Sequence, residues 1–212
     1  MNIVKGNKYI WQCPEVDTAR ALSLASAYSL SIPVAQIVLS RGFSDDEAIR
    51  RYLFTSADEV AHPSLLKGAD AAVERIMQAL EKQEKILIAG DYDVDGITSS
   101  SLMLMCLKPL GANINFFLPH RVKDGYGLSV KTVERAAENN YKLIITVDNG
   151  ITAFDAAQRA HELGIDLIIT DHHRPHGHLP KALAIVNPNQ DDCAYPYKKF
   201  AGVGVGFKLM TL

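Results

Sequence analysis

The sequence predicts an α/β fold, an open parallel five-stranded sheet with helices on both faces. Two observations lead to this fold class. From residue 85 onward, short apolar segments alternate with amphipathic helical segments, which is the pattern of successive βα units. Glycines also follow two of the predicted helices, at Gly111 and Gly164, where helix C-termini favour them. Such alternation is typical of a parallel sheet that is covered on both sides.

The predicted strands are short runs rich in Ile, Leu and Val, at residues 85–90, 112–118, 142–147, 166–170 and 183–186. The predicted helices between them are residues 97–110, 130–140 and 153–163. Acidic or histidine side chains follow the first, third and fourth strands. We therefore expect the strand order 2-1-3-4-5, which makes these three strands neighbours at the switch point of the sheet.

The first 67 residues lack the alternation of strands and helices, and their pattern predicts a helical N-terminal region. Helical spacing covers residues 16–30, Pro33 suits the start of a second helix, and the capping box at 44–47 predicts a helix over 48–53. An amphipathic helix at 68–81 opens the second region. The predicted division is thus 1–67 for the helical region and 68–212 for the α/β domain.

Net charge and cysteine content indicate which binding partners and which cellular compartment the protein has. The net charge of −2 over 212 residues offers no general basic field, so nucleic acid would have to be met by a local patch or by bound metal. Cys13, Cys106 and Cys193 are isolated, which indicates a reducing compartment. No run of about 18 apolar residues and no signal-peptide pattern is present. We expect a cytoplasmic protein without membrane contact.

The first candidate site follows the first strand. Asp91, Asp93 and Asp95 stand at alternate positions and are followed by Gly96. Three carboxylates this close raise one another's cost of ionisation. A divalent cation removes that cost, because hard cations take oxygen ligands and supply positive charge.

Two other interpretations compete at this segment. An Asp-rich turn could use its side chains to bond its own backbone, although such turns rarely need three alternating acids. An EF-hand calcium loop also opens with this pattern, but its twelfth position falls on Leu102 instead of Glu. The preceding segment is also strand-like, where an EF-hand needs a helix.

The second and third candidate segments follow the third and fourth strands. Asp148 taken alone could cap the next helix, and His172 could be an ordinary loop histidine. At the same sheet edge as Asp93 and Asp95, both are better explained as ligands. We predict that Asp93, Asp95, Asp148 and His172 bind metal, and carboxylates with one imidazole suit Mn²⁺ or Mg²⁺.

Three neighbouring residues are predicted to take part in catalysis. His173 is free to bind or protonate a phosphate oxygen, and Asp171 could orient the histidines. Asp91 is either a further ligand or an orienting group. His176 and His178 lengthen the histidine-rich loop and are expected to be surface residues, because no second acid accompanies them.

Three segments, GDYDVDG at 90–96, VDNG at 147–150 and TDHH at 170–173, resemble the first three motifs of the DHH phosphoesterase superfamily. Four further segments resemble the RecJ-type exonucleases within it. They are GFSDDEAIRRYL at 42–53, LPHRVKDGYGL at 118–128, IVNPNQ at 185–190 and AGVGVGFKL at 201–209. The resemblance covers nearly the whole chain.

This resemblance implies hydrolysis of single-stranded DNA from a 5′ end by two Mn²⁺ or Mg²⁺ ions, in DNA repair and recombination. By motif, it implies metal binding by the four ligands named above and contact of His173 with the scissile phosphate. Asn149 and Gly150 fall in the second-motif turn and are expected to contact substrate. Arg121 and Lys123 lie in a loop that could contact phosphate, with solvent-exposed charge as the alternative.

One departure concerns the end of the chain. The family carries a fourth metal-binding Asp beyond the GVGVGFKL segment, then a DHH-associated domain and an OB-like domain, whereas this sequence ends at Leu212. We therefore expect an N-terminal portion whose own activity is negligible.

Other functions within and outside the enzyme class stay open. A nanoRNase or a cyclic-dinucleotide phosphodiesterase would begin closer to the first motif. A family II pyrophosphatase is disfavoured, because Ala89 stands where that family has His. A non-catalytic DHH-like replication or binding module would carry degraded motifs, whereas the three motifs here are intact.

Overall fold

A computed structural model describes residues 2–56, 59–122 and 125–212. The chain divides into two compact units, Met1–Val60 and Ala61–Leu212. This boundary precedes the one predicted after residue 67. The reason is that Leu66 is buried in the core of the larger unit, and the Ala61 carbonyl accepts hydrogen bonds from Tyr195 and Lys208 of that unit.

Among its described residues, the first unit contains a hairpin and three α-helices. Its elements are β1 Asn2–Lys5, β2 Ile10–Cys13, α1 Thr18–Ala27, α2 Ile32–Ser40 and α3 Asp46–Phe54. The helices were predicted, but the antiparallel hairpin was not. Its strands are only four residues long, which leaves little alternation to detect.

The cap of α3 lies one residue later than predicted. Asp45, and not Ser44, is the N-cap, and its carboxylate accepts a hydrogen bond from the N–H of Ala48 at 2.7 Å. The small core of this unit forms where the helices meet. Its buried members are Leu24, Ala35, Val38 and Ile49.

The larger unit alternates strands and helices. Its elements are α4 Ala69–Glu81, β3 Lys85–Ala89, α5 Val94–Leu107, β4 Asn113–Phe117, α6 Val130–Glu138, β5 Tyr141–Val147, α7 Phe154–Glu162, β6 Asp166–Thr170, β7 Ala184–Val186 and α8 Gly202–Met210. Short 3₁₀ turns lie at Pro63–Leu65 and Lys108–Leu110.

The five strands β3 to β7 form one parallel sheet in the order β4-β3-β5-β6-β7. This confirms the predicted order 2-1-3-4-5. The order reverses between β3 and β5, so the carboxyl ends of β3, β5 and β6 lie side by side at the switch point.

Helices cover both faces of the sheet because side chains alternate along each strand. Ile86 and Ile88 of β3 face one core, which also contains buried residues of α4, α5 and α8. Leu87 and Ala89 face the other core, which contains buried residues of α6 and α7. The sheet is therefore a rigid platform, and the loops at its carboxyl end are held from both sides.

Among the described residues, no single helix is long and apolar enough to cross a membrane. The bent pair α1 and α2 meets that test together, on length and composition alone. The cytoplasmic location stays a prediction from cysteine usage.

A buried arginine fixes the opposite, amino end of the sheet. The Arg75 guanidinium of α4 donates to Asp166 at the start of β6 and to Glu84 before β3, both at 2.6 Å. We expect Arg75→Met to lower the free energy of unfolding by about 3 kcal/mol, because it leaves two carboxylates without their cation. Urea denaturation measures this.

The matched control is Arg159→Met. Arg159 also joins two carboxylates, Glu134 and Glu162, but at the surface. Surface ion pairs are screened by solvent, so this variant should unfold close to wild type. Equal losses in the two variants would contradict the assignment of Arg75 as the buried anchor.

Candidate metal centre

The candidate site lies at the carboxyl end of the sheet, where three neighbouring strands end. β3 ends at Ala89, and Asp91 and Asp93 follow it. β5 is followed directly by Asp148, and β6 directly by Asp171. Because these strands are adjacent and parallel, their acids converge at one edge of the sheet.

Two groups of side chains at this edge could hold a cation. Within each group, the atoms that could serve as ligands lie within 4.8 Å of one another. The groups are Asp91, Asp93 and Asp148, and Asp148, His172 and His173. Asp148 belongs to both groups, so its carboxylate joins the acidic part of the site to the imidazole part.

Of the predicted acidic ligands, Asp93 and Asp148 are brought together, whereas Asp95 lies in neither of these groups. The reason is that Asp93 is the N-cap of α5 and accepts a hydrogen bond from the N–H of Gly96 at 3.0 Å. Helix α5 thus begins at Val94, earlier than predicted, and residue 95 lies in its first turn. Alternate residues no longer share a direction there.

Asp91 takes the place in the acidic group that was predicted for Asp95. Sequence analysis placed Asp91 among the catalytic residues and left open whether it is a ligand or an orienting group. Asp91 is buried, whereas Asp93 beside it is exposed. Asp95 still acts on the site through its charge, which helps to raise the pKa of Asp148.

Two buried carboxylate oxygens at the site lack a hydrogen-bond partner among the described residues. They are Oδ1 of Asp91 and Oδ1 of Asp148. Nε2 of His172 lies 3.1 Å from Oδ1 of Asp148, but the two are not aligned as a hydrogen bond. Unpaired buried oxygens are costly to a protein. Open oxygen ligands beside an imidazole fit a hard divalent cation such as Mn²⁺ or Mg²⁺.

The raised pKa values of Asp91 and Asp148 are consistent with a cation site. Burial, together with the charges of Asp93 and Asp95, raises the pKa of Asp148 from 3.8 to about 7. Burial, with a contribution from Asp93, also raises the pKa of Asp91. The carboxyl of Asp148 is therefore poised to lose a proton when positive charge arrives.

The backbone at Asp148 is held in an unusual conformation. Its φ of 64° lies in the left-handed region, which residues other than glycine seldom adopt. Gly150 follows with a φ of 112°, and a Cβ there would lie 2.6 Å from Oγ1 of Thr146. Gly150, predicted to contact substrate, is thus required by the turn itself. Strain of this kind is found at functional sites.

Asn149, also predicted to contact substrate, is fully buried and holds the strand ends together. Its amide donates to the carbonyls of Ala89 at 3.0 Å and Val147 at 2.9 Å. Its oxygen accepts from the N–H of Leu128 at 3.1 Å. This geometry supports a positioning role, because the side chain is committed to β3, β5 and the loop before α6.

Asp171 is hydrogen-bonded to both members of the histidine pair, which sequence analysis expected it to orient. Its Oδ1 accepts from the N–H of His172 at 2.7 Å, from the N–H of His173 at 3.0 Å and from Nδ1 of His173 at 2.7 Å. Its Oδ2 accepts from the N–H of Ile151 at 2.9 Å. Burial alone would raise the pKa of Asp171, but these hydrogen bonds outweigh it and lower that pKa. In return, the bond to Asp171 raises the pKa of His173.

Of the two predicted phosphate contacts, Arg121 and Lys123, the structure describes only Arg121. Arg121 lies with its guanidinium 5.5 Å from the centre of the Tyr92 ring, which belongs to the first motif. This contact brings a cation to the edge of the site. Lys123 lies outside the described residues.

Sequence analysis did not single out Tyr126, although it lies against the site. Its hydroxyl is 3.4 Å from the carbonyl oxygen of Asp148, and its ring meets that of His173 edge-on at 6.3 Å. The only signal in the sequence was an aromatic residue within a resembling segment. Tyr126 lines a cleft of about 370 Å³ with Ile151, Thr152, Asp171, His173, Arg174 and His176.

The remaining histidines of this loop fit the surface role predicted for them. His176 lies on the cleft and His178 packs against the ring of Phe154 at 4.4 Å. Neither belongs to the two cation groups formed by the described side chains.

Gly202, at the start of α8, touches the centre of the site. A Cβ on Gly202 would overlap the Asp148 carboxylate and lie 2.6 Å from the Asp148 Cβ. The AGVGVGFKL segment therefore contributes through the absence of a side chain. This role was not predicted, because it depends on a contact between distant parts of the chain.

The sheet order, the acids after β3 and β5 and the Asp-His-His run after β6 together define an open α/β domain with a candidate acid–imidazole cation site. The chain belongs to the DHH family, since residues 85–212 match the N-terminal domain of that family.

Proteins called single-stranded-DNA-specific exonuclease RecJ are among the relatives. The one from Bacillus subtilis is 44% identical over 203 residues, which is 96% of this chain and 26% of the relative. A RecJ structure bound to manganese is 36% identical with a TM-score of 0.63, over 68% of this chain and 37% of that one.

A second manganese complex, of RecJ from Thermus thermophilus, is 28% identical with a TM-score of 0.67. It covers 94% of this chain and 27% of that one. The chain thus spans about a quarter of the length of the curated relatives it matches.

The contact of Gly202 with Asp148 gives a stability prediction. We expect Gly202→Ala to lower the free energy of unfolding by about 2 kcal/mol, because the added methyl overlaps a buried carboxylate. In an Asp148→Gly background the same change should cost almost nothing, since glycine keeps the positive φ and removes the overlap. Urea denaturation of the four proteins closes this double-mutant cycle.

Gly206→Ala is the control on the same helix. The nearest atoms to a Cβ there are 3.9 Å and 4.0 Å away, which is ordinary contact. That variant should be neutral or up to about 1 kcal/mol more stable, because alanine favours helices. If Gly202→Ala costs the same in both backgrounds, the overlap with Asp148 is not the cause.

Proposed function

We propose that this chain carries the metal centre of a nuclease that hydrolyses single-stranded DNA from the 5′ end. The proposal depends on one observation. Asp91, Asp93, Asp148 and His172 lie close together, and the Oδ1 atoms of Asp91 and Asp148 are buried without a hydrogen-bond partner among the described residues. The identity to RecJ exonucleases supports the substrate class, and the manganese-bound RecJ structures support Mn²⁺ as the cation. The 5′ polarity and the use of two ions are part of the proposal.

The two groups of side chains support a ligand set. Asp91, Asp93 and Asp148 would supply ligands to one ion, and Asp148 and His172 would supply ligands to a second. Asp95 stays a predicted ligand, on the side of α5. Two such ions would neutralise a phosphate and lower the pKa of an attacking water.

The hydrogen bond between Asp171 and His173 supports a role for His173 in acting on a phosphate oxygen. The ionised carboxylate of Asp171 can only accept hydrogen bonds, so Nδ1 of His173 must carry the proton between them. This orientation turns Nε2 away from Asp171, and the raised pKa favours a protonated ring. An imidazolium held in this way donates from Nε2 to a phosphate oxygen or to a leaving group.

A positive edge and an aromatic ring border this arrangement. Arg121 lies over Tyr92 at the end of β3, and the ring of Tyr126 lies beside His173. Together they would guide the DNA strand toward the site, while Asn149 and Gly150 keep the Asp148 turn in place. The Lys123 contact is carried forward as a prediction.

The function is tested in a chimera in which this chain replaces the matching N-terminal quarter of the Bacillus subtilis relative. With Mn²⁺, the chimera should degrade 5′-phosphorylated single strands and leave duplex DNA, dinucleotides and pyrophosphate intact. Asp148→Asn should abolish turnover, and His173→Ala should slow it by about 10²–10⁴-fold, the usual range for an acid–base group.

Preference for dinucleotides would instead identify a nanoRNase-like enzyme. Calorimetric titration of this chain alone with Mn²⁺ separates a missing site from a chimera that assembles badly. Mn²⁺ binding by the chain together with a folded, inactive chimera would favour the non-catalytic module, and absence of Mn²⁺ binding would refute the proposed metal centre.

The raised pKa of Asp148 predicts how Mn²⁺ affinity depends on pH. Below pH 7 the ion must displace the Asp148 proton, so affinity should rise about tenfold per pH unit and level off above pH 7. Calorimetry in two buffers of different ionisation heat should show that Mn²⁺ binding releases about one proton at pH 6 and almost none at pH 8. An affinity independent of pH would contradict this.

In the metal-free protein, the contribution of Asp148 to the free energy of unfolding should fall as pH rises. The folded state holds the Asp148 proton up to about pH 7, whereas the unfolded state loses it near 3.8. The folded state therefore binds more protons between these values, and this carboxyl lowers stability as pH rises through that window.

A further inference from the structure

The hairpin of the first unit exposes large apolar side chains to solvent. Tyr9, Ile10 and Trp11 are 71%, 70% and 61% exposed. A two-stranded hairpin with both faces in water is marginally stable at best. Exposed apolar groups concentrated on such an element indicate a binding surface.

Two aromatic residues lie close together along this hairpin, at the end of the turn and in β2. Trp11 lies opposite Val4 in the antiparallel register, and Tyr9 precedes it by two residues. Tyr9 directly precedes β2, and its carbonyl accepts a hydrogen bond from the N–H of Gly6 that closes the turn. Residues two apart along an extended chain lie about 7 Å apart. Two rings so arranged can stack with two bases of one nucleic-acid strand.

The charge of the hairpin is opposite to that of the rest of the chain. Residues 2–13 contain Lys5 and Lys8 and no acid. The chain has 22 basic and 24 acidic residues, so the remainder has 20 basic against 24 acidic residues. Both lysines are exposed, and they are positioned to meet a polyanion that approaches the rings.

We propose that the hairpin of residues 2–13 is a contact surface for single-stranded DNA, with Tyr9 and Trp11 stacking on bases and Lys5 and Lys8 meeting phosphates. The inference rests on the proposed function for its choice of DNA. Duplex DNA keeps its base faces stacked internally, so the rings select single strands. An apolar protein partner would account for the rings but not for the acid-free pair of lysines.

Trp11 provides the direct test, because it is the only tryptophan of the chain. The 212-residue protein is titrated with oligothymidylate in the presence of a chelator, so that no hydrolysis occurs. The expected result is quenching of tryptophan emission by the single strand and little change with a duplex of equal length. A labelled oligothymidylate, followed by anisotropy, measures the affinity independently.

Substitutions at Tyr9 separate stacking from general apolar contact. Tyr9→Phe keeps the ring and should bind as the wild type does. Tyr9→Leu keeps apolar bulk without a ring, and it should weaken binding by about 5- to 150-fold, the range that one stacked base supplies. Equal affinity of the Leu and Phe variants would overturn the stacking assignment.

Substitutions of the lysines test whether these side chains meet phosphates. Lys5→Gln/Lys8→Gln should reduce the slope of log affinity against log salt by about 1.4, because each phosphate that a lysine neutralises adds about 0.7 to that slope. The matched control is Arg41→Gln/Arg50→Gln, which removes two exposed charges of the same unit, one at the C-cap of α2 and one within α3, and should leave the slope unchanged. Equal effects of the two pairs would overturn the assignment.

Other outcomes also count against the proposal. Equal quenching by duplex DNA, or binding of the labelled strand without any change in Trp11 emission, would overturn it. Emission that changes with protein concentration alone would assign the hairpin to contact between copies. Mn²⁺ binding should be the same in all hairpin variants, so failure of this inference is distinguishable from failure of the proposed metal centre.

Discussion

Mutual repulsion among carboxylates is the constraint on which the rest of the site depends. Asp91, Asp93 and Asp148 are held together by a parallel sheet whose strands end side by side, and two of the three are buried. Such a cluster does not form by attraction. It persists because apolar cores on both faces of the sheet fix the strand ends, and because Asn149 and Asp171 fix the turns that carry the acids.

Much of this arrangement is legible in local sequence. Buried apolar runs predict strands, and the polar residues that follow them predict which strands are neighbours, so the sheet order was correct. The hairpin of residues 2–13 was missed, because two four-residue strands carry little periodicity. The capping of α5 by Asp93 decided that Asp91, and not Asp95, joins the acidic group.

The contributions that sequence did not indicate depend on distant contacts. Gly202 reaches Asp148 only because α8 packs back against the sheet. Tyr126 is close to His173 only because the loop before α6 is tied to Asn149. In both cases the residue is separated from its partner along the chain, and no local pattern marks the pair.

The left-handed turn at Asp148 has an evolutionary consequence. Asp, Asn and Gly are the residues that tolerate this backbone, so replacement by Asn or Gly would remove the charge and keep the turn. The buried acids also burden the folded state when no cation is present. Loss of these acids would therefore relieve the fold, and descendants with Asn or Gly at position 148 would keep an intact scaffold.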